Sequence, residues 1–131
     1  MTLSTNNLTF IIVTFKSDHI IHECIESLPK DSNIIIIENS NNPELKKKLE
    51  AKYSKINVIT QENSGMGAAN NIGIKLCKTD YAFVINPDVK FYKNTIDELI
   101  TLSSKHNDYS ILAPISDDIQ YPNYKIKNKK L

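Results

Sequence analysis

The sequence is poor in several residue types, and each shortage narrows the choice of fold and function. Its 131 residues include no arginine and no tryptophan, three glycines and two cysteines. Lysine therefore supplies the side-chain positive charge, and the formal net charge of +1 argues against the strongly basic surface of nucleic-acid-binding proteins. Cys24 and Cys77 belong to no closely spaced metal or redox motif, so we expect two small core residues on helices in a reducing cytosol.

Long hydrophobic runs are also absent. No run reaches the roughly 18 apolar residues that a membrane-spanning helix needs. The polar segment 1–9 has no basic region followed by an apolar one, so we expect no signal peptide and a cytoplasmic location. A chain of 131 residues fits one domain, which should bury roughly 65 to 70% of the surface that its unfolded form exposes.

Short apolar runs alternate with segments whose apolar residues recur at helical spacing. The runs predicted to form buried strands are 8–14, 34–37, 56–60, 81–85 and 109–113. The helices between them are predicted to begin at Ser17 or Asp18, at Asn42, after the loop 65–68, and at a capping Asn94. This alternation is typical of an α/β fold, a mostly parallel sheet flanked by helices in three layers with right-handed crossovers. Gly73 should allow close packing of the third helix on the sheet.

The regular pattern ends after Pro114. We therefore assign residues 1–118 to the folded domain and residues 119–131 to a basic tail. The last nine residues hold four lysines and no acid, which is typical of a solvated chain end. The alternative is contact with anionic lipid headgroups at the inner face of a membrane, to which each lysine would add about 1 kcal/mol.

Two acids follow apolar runs at the points where strands should end. Glu38 follows the run 34–37, and Asp88 comes three residues after the run 81–85. Because the carboxyl ends of parallel strands meet at one edge of a sheet, these carboxylates should converge on a crevice where ligands bind. Between them, the small residues of the segment 63–73 let a ligand approach the backbone closely. An anionic ligand held near two acids suggests a nucleotide diphosphate with Mg²⁺ or Mn²⁺.

Both acids also have simpler interpretations. Asn86, Pro87 and Asp88 form a good turn sequence, so Asp88 either leaves the strand in a turn or holds a metal that a diphosphate also binds. Glu38 either accepts hydrogen bonds from a ribose hydroxyl or a base, or is an exposed acid that starts a turn with the two residues after it.

The other candidate residues are equally open to two interpretations. Thr14 and Phe15 end the first strand, where the hydroxyl of Thr14 could contact a base, and Phe15 is either a wall of the base site or an ordinary core residue. The segment 65–70 nearly matches a dinucleotide-binding glycine motif, but it follows the third strand and ends in asparagine where glycine or alanine is expected. It is a turn into a helix that either holds a sugar or phosphate or is purely structural. His19 and His22 lack a third metal ligand nearby, so we expect two solvated helix residues.

Taken in order, four motifs resemble the donor-binding half of family-2 glycosyltransferases with the GT-A fold. They are residues 10–15 (FIIVTF), 36–40 (IIENS), 63–70 (NSGMGAAN) and 84–88 (VINPD). The resemblance spans roughly residues 8 to 118. Many relatives have Asp-x-Asp where this chain has residues 86–88, and the Asn-Pro-Asp variant resembles that of rhamnosyltransferase-like members.

The resemblance implies a role for each candidate residue. The implied donor-binding residues are Thr14, Phe15, Glu38, Asn63, Gly65, Asn70 and Asn86, and the first three would contact the nucleoside. Asp88 would hold the metal, Mg²⁺ or Mn²⁺. Glu38 stands in place of the usual aspartate, and its additional methylene shifts the carboxylate by roughly a bond length, which leaves base selectivity open.

The implied reaction is transfer of a sugar from a nucleotide-diphosphate sugar to an acceptor hydroxyl, with inversion at the anomeric carbon. The metal would stabilise the charge on the departing diphosphate. The acceptor would be a glycan or a lipid-linked molecule, as in cell-envelope polysaccharide biosynthesis. In this family the general base and the acceptor site lie further along the chain than this sequence extends, so the catalytic base is not identified.

A chain of this length leaves alternatives to full catalysis. It is either a noncatalytic nucleotide-sugar-binding module, or it obtains an acceptor site from a partner chain or a second copy, or it is a truncated product; exposed apolar surface would favour dimerisation. A receiver-type signalling domain has a similar length and pattern but needs acids clustered after the first strand. Residues 14–18 read TFKSD at that point, which argues against signalling.

Overall fold

The computed structural model describes residues 2–106 and 108–114. In chain order the elements are β1 (Leu8–Thr14), α1 (Ile21–Glu26), β2 (Asn33–Glu38), α2 (Pro43–Lys52), β3 (Ile56–Thr60), α3 (Met66–Leu76), β4 (Tyr81–Ile85) and α4 (Thr95–Lys105), with a short 3₁₀ helix, Thr5–Asn7, before β1. The basic tail assigned to residues 119–131 lies outside the described residues. None of the described helices is long and apolar enough to cross a membrane.

The strands form one sheet of order β3-β2-β1-β4, in which every pairing is parallel. All seven residues of β1 are buried, because β1 has a strand on either side and its apolar side chains face both layers of helices. The parallel arrangement places the carboxyl ends of β1 to β4 at one edge. The predicted parallel, helix-flanked sheet is confirmed.

Helices cover both faces of the sheet. Successive side chains of a strand point to opposite faces, so each strand contributes to two cores. The larger core joins the sheet to α1, α2 and α4. Its fully buried members include Phe10, Ile12, Ile21, Ile36, Leu45, Leu49 and Val58. The smaller core joins Val13, Ile35 and Ile37 to Ala69 of α3. The molecule therefore has the three layers that the sequence predicts.

The α3 helix lies very close to β1. A Cβ atom added at Gly73 would lie 2.4 Å from Cγ2 of Ile11, whose side chain is fully buried. The close packing predicted from Gly73 is confirmed. The helix begins at Met66, so residues 66–68 are helical and do not belong to the loop as predicted. The loop ends at Gly65 because its φ of 81° lies in the left-handed region, which glycine adopts without strain.

The starts of the other helices only partly follow the prediction. α1 begins at Ile21, because the C=O of Ser17 accepts the N–H groups of Ile20 and Ile21 in a preceding turn. The Ser17 hydroxyl accepts the N–H of Phe15 at 3.2 Å, so it closes the turn and does not cap the helix. Asp18 is exposed and lies in this turn, not at the helix start.

The two asparagines predicted to cap helices behave differently. Asn42 caps α2 as predicted, because its Oδ1 accepts the N–H of Leu45 at 3.1 Å and Pro43 occupies the first helical position. Asn94 makes no side-chain capping bond, so the cap predicted for α4 is wrong. Its backbone C=O instead accepts the N–H of Glu98 at 2.9 Å.

At the middle of β3, charged side chains bond the backbone groups that face away from the rest of the sheet. Glu50 Oε1 accepts the N–H of Val58 at 3.0 Å, and Lys46 Nζ donates to the C=O of the same residue. Lys46 and Glu50 also form an ion pair at 3.1 Å. The bond from Val58 lowers the pKa of Glu50, with the charge of Lys46 contributing less. The exposed edge of a strand is a template for unwanted pairing, and these bonds occupy the central residue of β3.

The fifth predicted strand, 109–113, is wrong, because these residues form no strand. They lie beside β4, where Phe83 and Leu112, among others, line a cavity of about 180 Å³. Ile111 is 87% exposed, so the burial that would stabilise a further strand is missing. Within the described part of the chain, β4 pairs only with β1.

The contact between Gly73 and Ile11 predicts opposite effects for two glycine-to-alanine substitutions in α3. Gly73→Ala should lower the free energy of unfolding by about 1 to 3 kcal/mol, because the new methyl overlaps a buried side chain. Gly67→Ala is the matched control, since no atom lies within 4 Å of its added Cβ, and should raise stability by up to about 1 kcal/mol. Urea unfolding measures both, and equal stabilities would contradict the close approach.

The bond between Glu50 and Val58 predicts an acid-sensitive contribution to stability. Glu50→Leu should lower the free energy of unfolding at pH 7 by about 1 kcal/mol, whereas Glu50→Gln, which keeps an acceptor oxygen, should lose less. Because folding lowers the pKa of Glu50, the contribution is complete above its ordinary value of 4.5 and is lost as the pH falls through the lower folded value. Urea titrations at pH 7 and pH 3 should show the gap between wild type and Glu50→Leu narrowing in acid.

Candidate functional site

The loops that follow the four strands meet at the carboxyl edge of the sheet. Thr14 lies beside Glu38, and Glu38 lies beside Thr60, in the parallel register. Asp88 follows the end of β4 by three residues. Because β1 lies between β2 and β4 and neighbouring strands are about 4.8 Å apart, the ends of β2 and β4 are about 10 Å apart. The structure thus brings both predicted acids to the same edge.

Glu38 is fully buried, and its own loop supplies its hydrogen-bond donors. One carboxylate oxygen accepts the N–H of Ser40 at 3.0 Å and the Ser40 hydroxyl; the other accepts the N–H of Asn42 at 2.6 Å. The interpretation of Glu38 as an exposed acid is therefore wrong, although it does start the turn. A buried carboxylate needs such donors to offset its lost hydration. Direct contact between Glu38 and a nucleoside stays a prediction, and it requires a ligand group to reach past or replace one of these donors.

Asn39 links three of the loops, and the sequence analysis missed this role. The side chain is only 2% exposed. Its backbone N–H donates to the C=O of Thr14 at 2.8 Å, its Oδ1 accepts from Gln61 Nε2 at 2.6 Å, and its Nδ2 donates to the C=O of Gly65 at 3.4 Å. Gln61 is bonded further, since its Nε2 also donates to the Ser64 hydroxyl at 2.7 Å. A polar residue at a strand end is the only sequence signal for this network.

The start of α3 presents backbone N–H groups towards the same edge. Gly65 occupies the N-cap position, and no side chain caps the helix. Asn63 Oδ1 accepts the N–H of Gly65 at 2.9 Å, so Asn63 shapes the loop just before the helix. Asn70 lies one turn inside α3 and is half-buried, and its Oδ1 has no hydrogen-bond partner within the described residues. An uncapped helix start of this kind can accept an anionic group such as a phosphate.

The end of β1 combines a buried hydroxyl with an exposed ring. Thr14 is fully buried, and its Oγ1 has no hydrogen-bond partner among the residues that the structure describes. A buried hydroxyl left unbonded typically costs about 1 to 3 kcal/mol, which a hydrogen-bonding ligand would offset. Phe15 is 49% exposed, so the interpretation of this residue as ordinary core is wrong. Its ring lies 5.5 Å from Lys16 Nζ, within cation–π distance.

The loop after β4 presents Asp88 to solvent. The N–H of Val89 donates to the C=O of Asn86 at 3.2 Å, so the predicted turn is confirmed, and Asp88 is exposed within it. Cys24 Sγ donates to the C=O of Asn86 at 3.7 Å from the core side. Burial and, to a lesser degree, the charge of Asp88 raise the pKa of Cys24 to about 11, so this thiol stays protonated at neutral pH. A cavity of about 400 Å³ that Asn86, Val89 and other residues line lies beside the turn.

The chemistry of this edge fits a cation that is shared with a ligand. No group of three or more His, Cys, Asp or Glu side chains that could hold a metal occurs in the described part of the chain. Asp88 is the exposed carboxylate in the turn after β4 that could hold a cation at this edge. Mg²⁺ and Mn²⁺ accept such a site when phosphate oxygens and water complete the shell.

His19, His22 and the two cysteines belong to no group of three or more metal-binding side chains within the described residues. His22 Nδ1 is 3.1 Å from the Tyr53 hydroxyl, while His19 lies exposed in the turn before α1 and not on the helix as predicted. Cys24 is a buried core residue as expected. Cys77 is half-buried at the end of α3, where its Sγ lies 3.2 Å from Thr79 Oγ1, so its predicted place inside a helix is wrong.

Comparison with curated proteins finds relatives that are roughly two and a half times as long. The chain is 29% identical over 114 residues to Agl10 of Haloferax volcanii, a low-salt glycan biosynthesis hexosyltransferase, and the match covers 83% of this chain and 36% of the relative. It is 28% identical over 107 residues to the uncharacterized glycosyltransferase YibD of Escherichia coli, covering 76% and 31%. The chain therefore spans about a third of the length of the curated relatives that it matches.

Comparison with solved structures agrees on the fold. The crystal structure of S. aureus TarS 1-349 matches with a TM-score of 0.64 and 19% identity, covering 77% of this chain and 33% of that chain. The structure of the same protein in complex with UDP-GlcNAc also matches with a TM-score of 0.64, at 20% identity and over 77% and 32%. These likenesses confirm the expected GT-A type of fold. The family model described as glycosyl transferase family 2 matches residues 9–130, and the chain therefore belongs to that family.

Proposed function

We propose that this chain binds a nucleotide-diphosphate sugar at the carboxyl edge of its sheet and supplies the donor half of an inverting glycosyltransferase. The observation that carries the proposal is the meeting of three loops there, which bring together Asn39, the start of α3 at Gly65, and the Asp88 turn. Membership of glycosyl transferase family 2 supports it. So does the structurally similar TarS, which has been crystallised with UDP-GlcNAc.

The nucleoside would lie over the ends of β1 and β2. Phe15 is half-exposed there and offers a ring face to a base, and Thr14 has a hydroxyl that lacks a partner in the described structure. Glu38 would act either by contact with the base or ribose or by fixing the loop that contacts them, through its bonds to Ser40 and Asn42.

The diphosphate would lie between the start of α3 and the turn after β4. The uncapped N–H groups after Gly65 favour negative charge, and Asn63 holds the loop that presents them. Asn70 would contribute its unpartnered amide oxygen to a sugar or ribose hydroxyl. Asn86 is exposed in the turn after β4 and would contact the donor from that side.

Asp88 would hold Mg²⁺ or Mn²⁺ together with the diphosphate oxygens. A bound cation of this kind stabilises the negative charge on a leaving diphosphate. The nearby Lys90 is paired with Glu23, so the described structure does not use it to neutralise Asp88. Because residues 86–88 read Asn-Pro-Asp, we include a rhamnosyltransferase-like donor preference in the proposal. The nucleotide that the protein binds most tightly tests this preference.

The acceptor half of the reaction is a separate proposal. The match covers about a third of each relative, so the glycan or lipid-linked acceptor and the general base belong to sequence beyond the matched third, to a partner chain or to a second copy. Within this proposal the protein works in the cytoplasm, at the inner face of the membrane, in cell-envelope polysaccharide synthesis. The competing function is a noncatalytic nucleotide-sugar-binding module. It is favoured by the fact that the match covers about a third of each relative. Donor hydrolysis or transfer alongside donor binding supports the enzyme, and binding without turnover supports the module.

Substitution of Asp88 should remove the metal dependence of nucleotide binding. Isothermal titration with UDP, dTDP and GDP, each with and without Mn²⁺, should show that Mn²⁺ strengthens binding of the preferred nucleotide to the wild type at least about tenfold, or 1.4 kcal/mol. Asp88→Asn should bind that nucleotide with the same low affinity whether Mn²⁺ is present or absent.

Asp31→Asn provides the matched control. Asp31 is also an exposed aspartate but precedes β2, at the amino edge of the sheet, and its φ of 60° suits asparagine as well. Its substitution should leave the effect of Mn²⁺ unchanged. Failure of the wild type to bind any of the three nucleotides would overturn the proposed function, and an unaltered metal effect in Asp88→Asn would remove Asp88 from it.

A further inference from the structure

Gln61 ties two of the site loops together through its side chain. It follows β3 directly, and its amide Nε2 donates both of its hydrogens, one to Asn39 Oδ1 at 2.6 Å and one to the Ser64 hydroxyl at 2.7 Å. Its backbone is equally engaged, because its N–H donates to the C=O of Glu38 at 2.9 Å and its C=O accepts the N–H of Asn41 at 3.0 Å. Every polar group of Gln61 except the side-chain amide oxygen thus takes part in one of these hydrogen bonds.

The link continues to Gly65, the N-cap residue of α3. Asn39 Nδ2 donates to the C=O of Gly65, and Ser64 immediately precedes Gly65 in the chain. The position of the helix start is therefore fixed from two directions by one glutamine side chain and one asparagine side chain. No side chain caps the helix itself, so these bonds are the side-chain contacts that hold its start against the end of β2.

We infer that Gln61 and Asn39 are positioning residues for the donor, which hold the N–H groups at the start of α3 at a fixed distance from the Glu38 loop. The inference rests on the proposed function, because it concerns the same site. Neither residue needs to contact the ligand. Their effect comes from pre-organisation, since a loop that is already ordered loses less conformational entropy when a ligand binds.

Two substitutions test the link without introducing charge. Gln61→Met keeps the length of the side chain and removes both donated bonds. Ser64→Ala removes only the second bond from an exposed residue and is safe for folding, while Ser64→Thr keeps the hydroxyl and should behave as the wild type. Asn7→Ala is the control for general loss of polar contacts, because Asn7 bonds Ser4 and Asp80 at the opposite end of the sheet.

Hydrogen exchange of the free protein and titration with UDP and Mn²⁺ give two independent readouts. Gln61→Met should speed amide exchange in the peptide covering residues 64–70 by about tenfold, with little change in α2 or α4, and should raise the Kd for UDP by about tenfold. Ser64→Ala should show smaller changes in the same direction, and Asn7→Ala should change neither quantity.

The outcomes separate this inference from the function on which it rests. If the wild type binds UDP and Gln61→Met binds it equally well, or if exchange near residues 64–70 is unchanged, the positioning role is overturned while donor binding stands. A lower melting temperature with unchanged UDP affinity also overturns it, because that is the result of a purely structural role. If the wild type does not bind UDP, the proposed function fails, and a donor-positioning role fails with it.

Discussion

The common direction of the four strands is the constraint on which the rest of the molecule depends. Parallel pairing forces each connection to cross the sheet through a helix, so the four loops that follow β1 to β4 all lie at one edge. Residues far apart in the sequence then become neighbours through backbone bonds, as when the N–H of Asn39 reaches the C=O of Thr14 and the N–H of Gln61 reaches the C=O of Glu38. The site is built from these short bonds between loops.

The two acids at this edge differ in burial, and this difference gives them different surroundings. Glu38 has no contact with solvent, and the N–H groups of Ser40 and Asn42 compensate its charge. Asp88 lies in an open turn, where its carboxylate is exposed to solvent. One carboxylate therefore shapes the loop, and the other is left available for chemistry. The residue type alone does not distinguish these situations.

Much of the fold was predictable because hydrophobic periodicity reports which residues are buried. The strands Ile56–Thr60 and Tyr81–Ile85 have the predicted bounds, and the sequence Asn42-Pro43 predicted the start of α2 correctly. The same signal failed at residues 109–113, where an apolar run lies beside the sheet without pairing. An apolar run of this kind shows that burial is possible, but strand pairing also needs backbone groups at bonding distance, and this segment forms no strand with β4.

The site was predictable in position but not in its bonding. Strand ends marked Glu38 and Asp88 because parallel topology fixes where such residues go. The bond between Asn39 and Gln61 joins side chains 22 positions apart, and such pairs leave no period in a single sequence. Family resemblance supplied roles for named positions, whereas Gln61 lies outside the four motifs that carry it.

The two edge strands of the sheet, β3 and β4, differ in how easily another strand could pair with them. A strand that paired with β3 would first have to displace Glu50 from the N–H of Val58 and Lys46 from its C=O. At β4, the segment 109–112 lies beside the strand and lines a cavity with it. Addition of a strand at β3 is thus penalised by the loss of existing bonds, which makes that edge a poor template for aggregation.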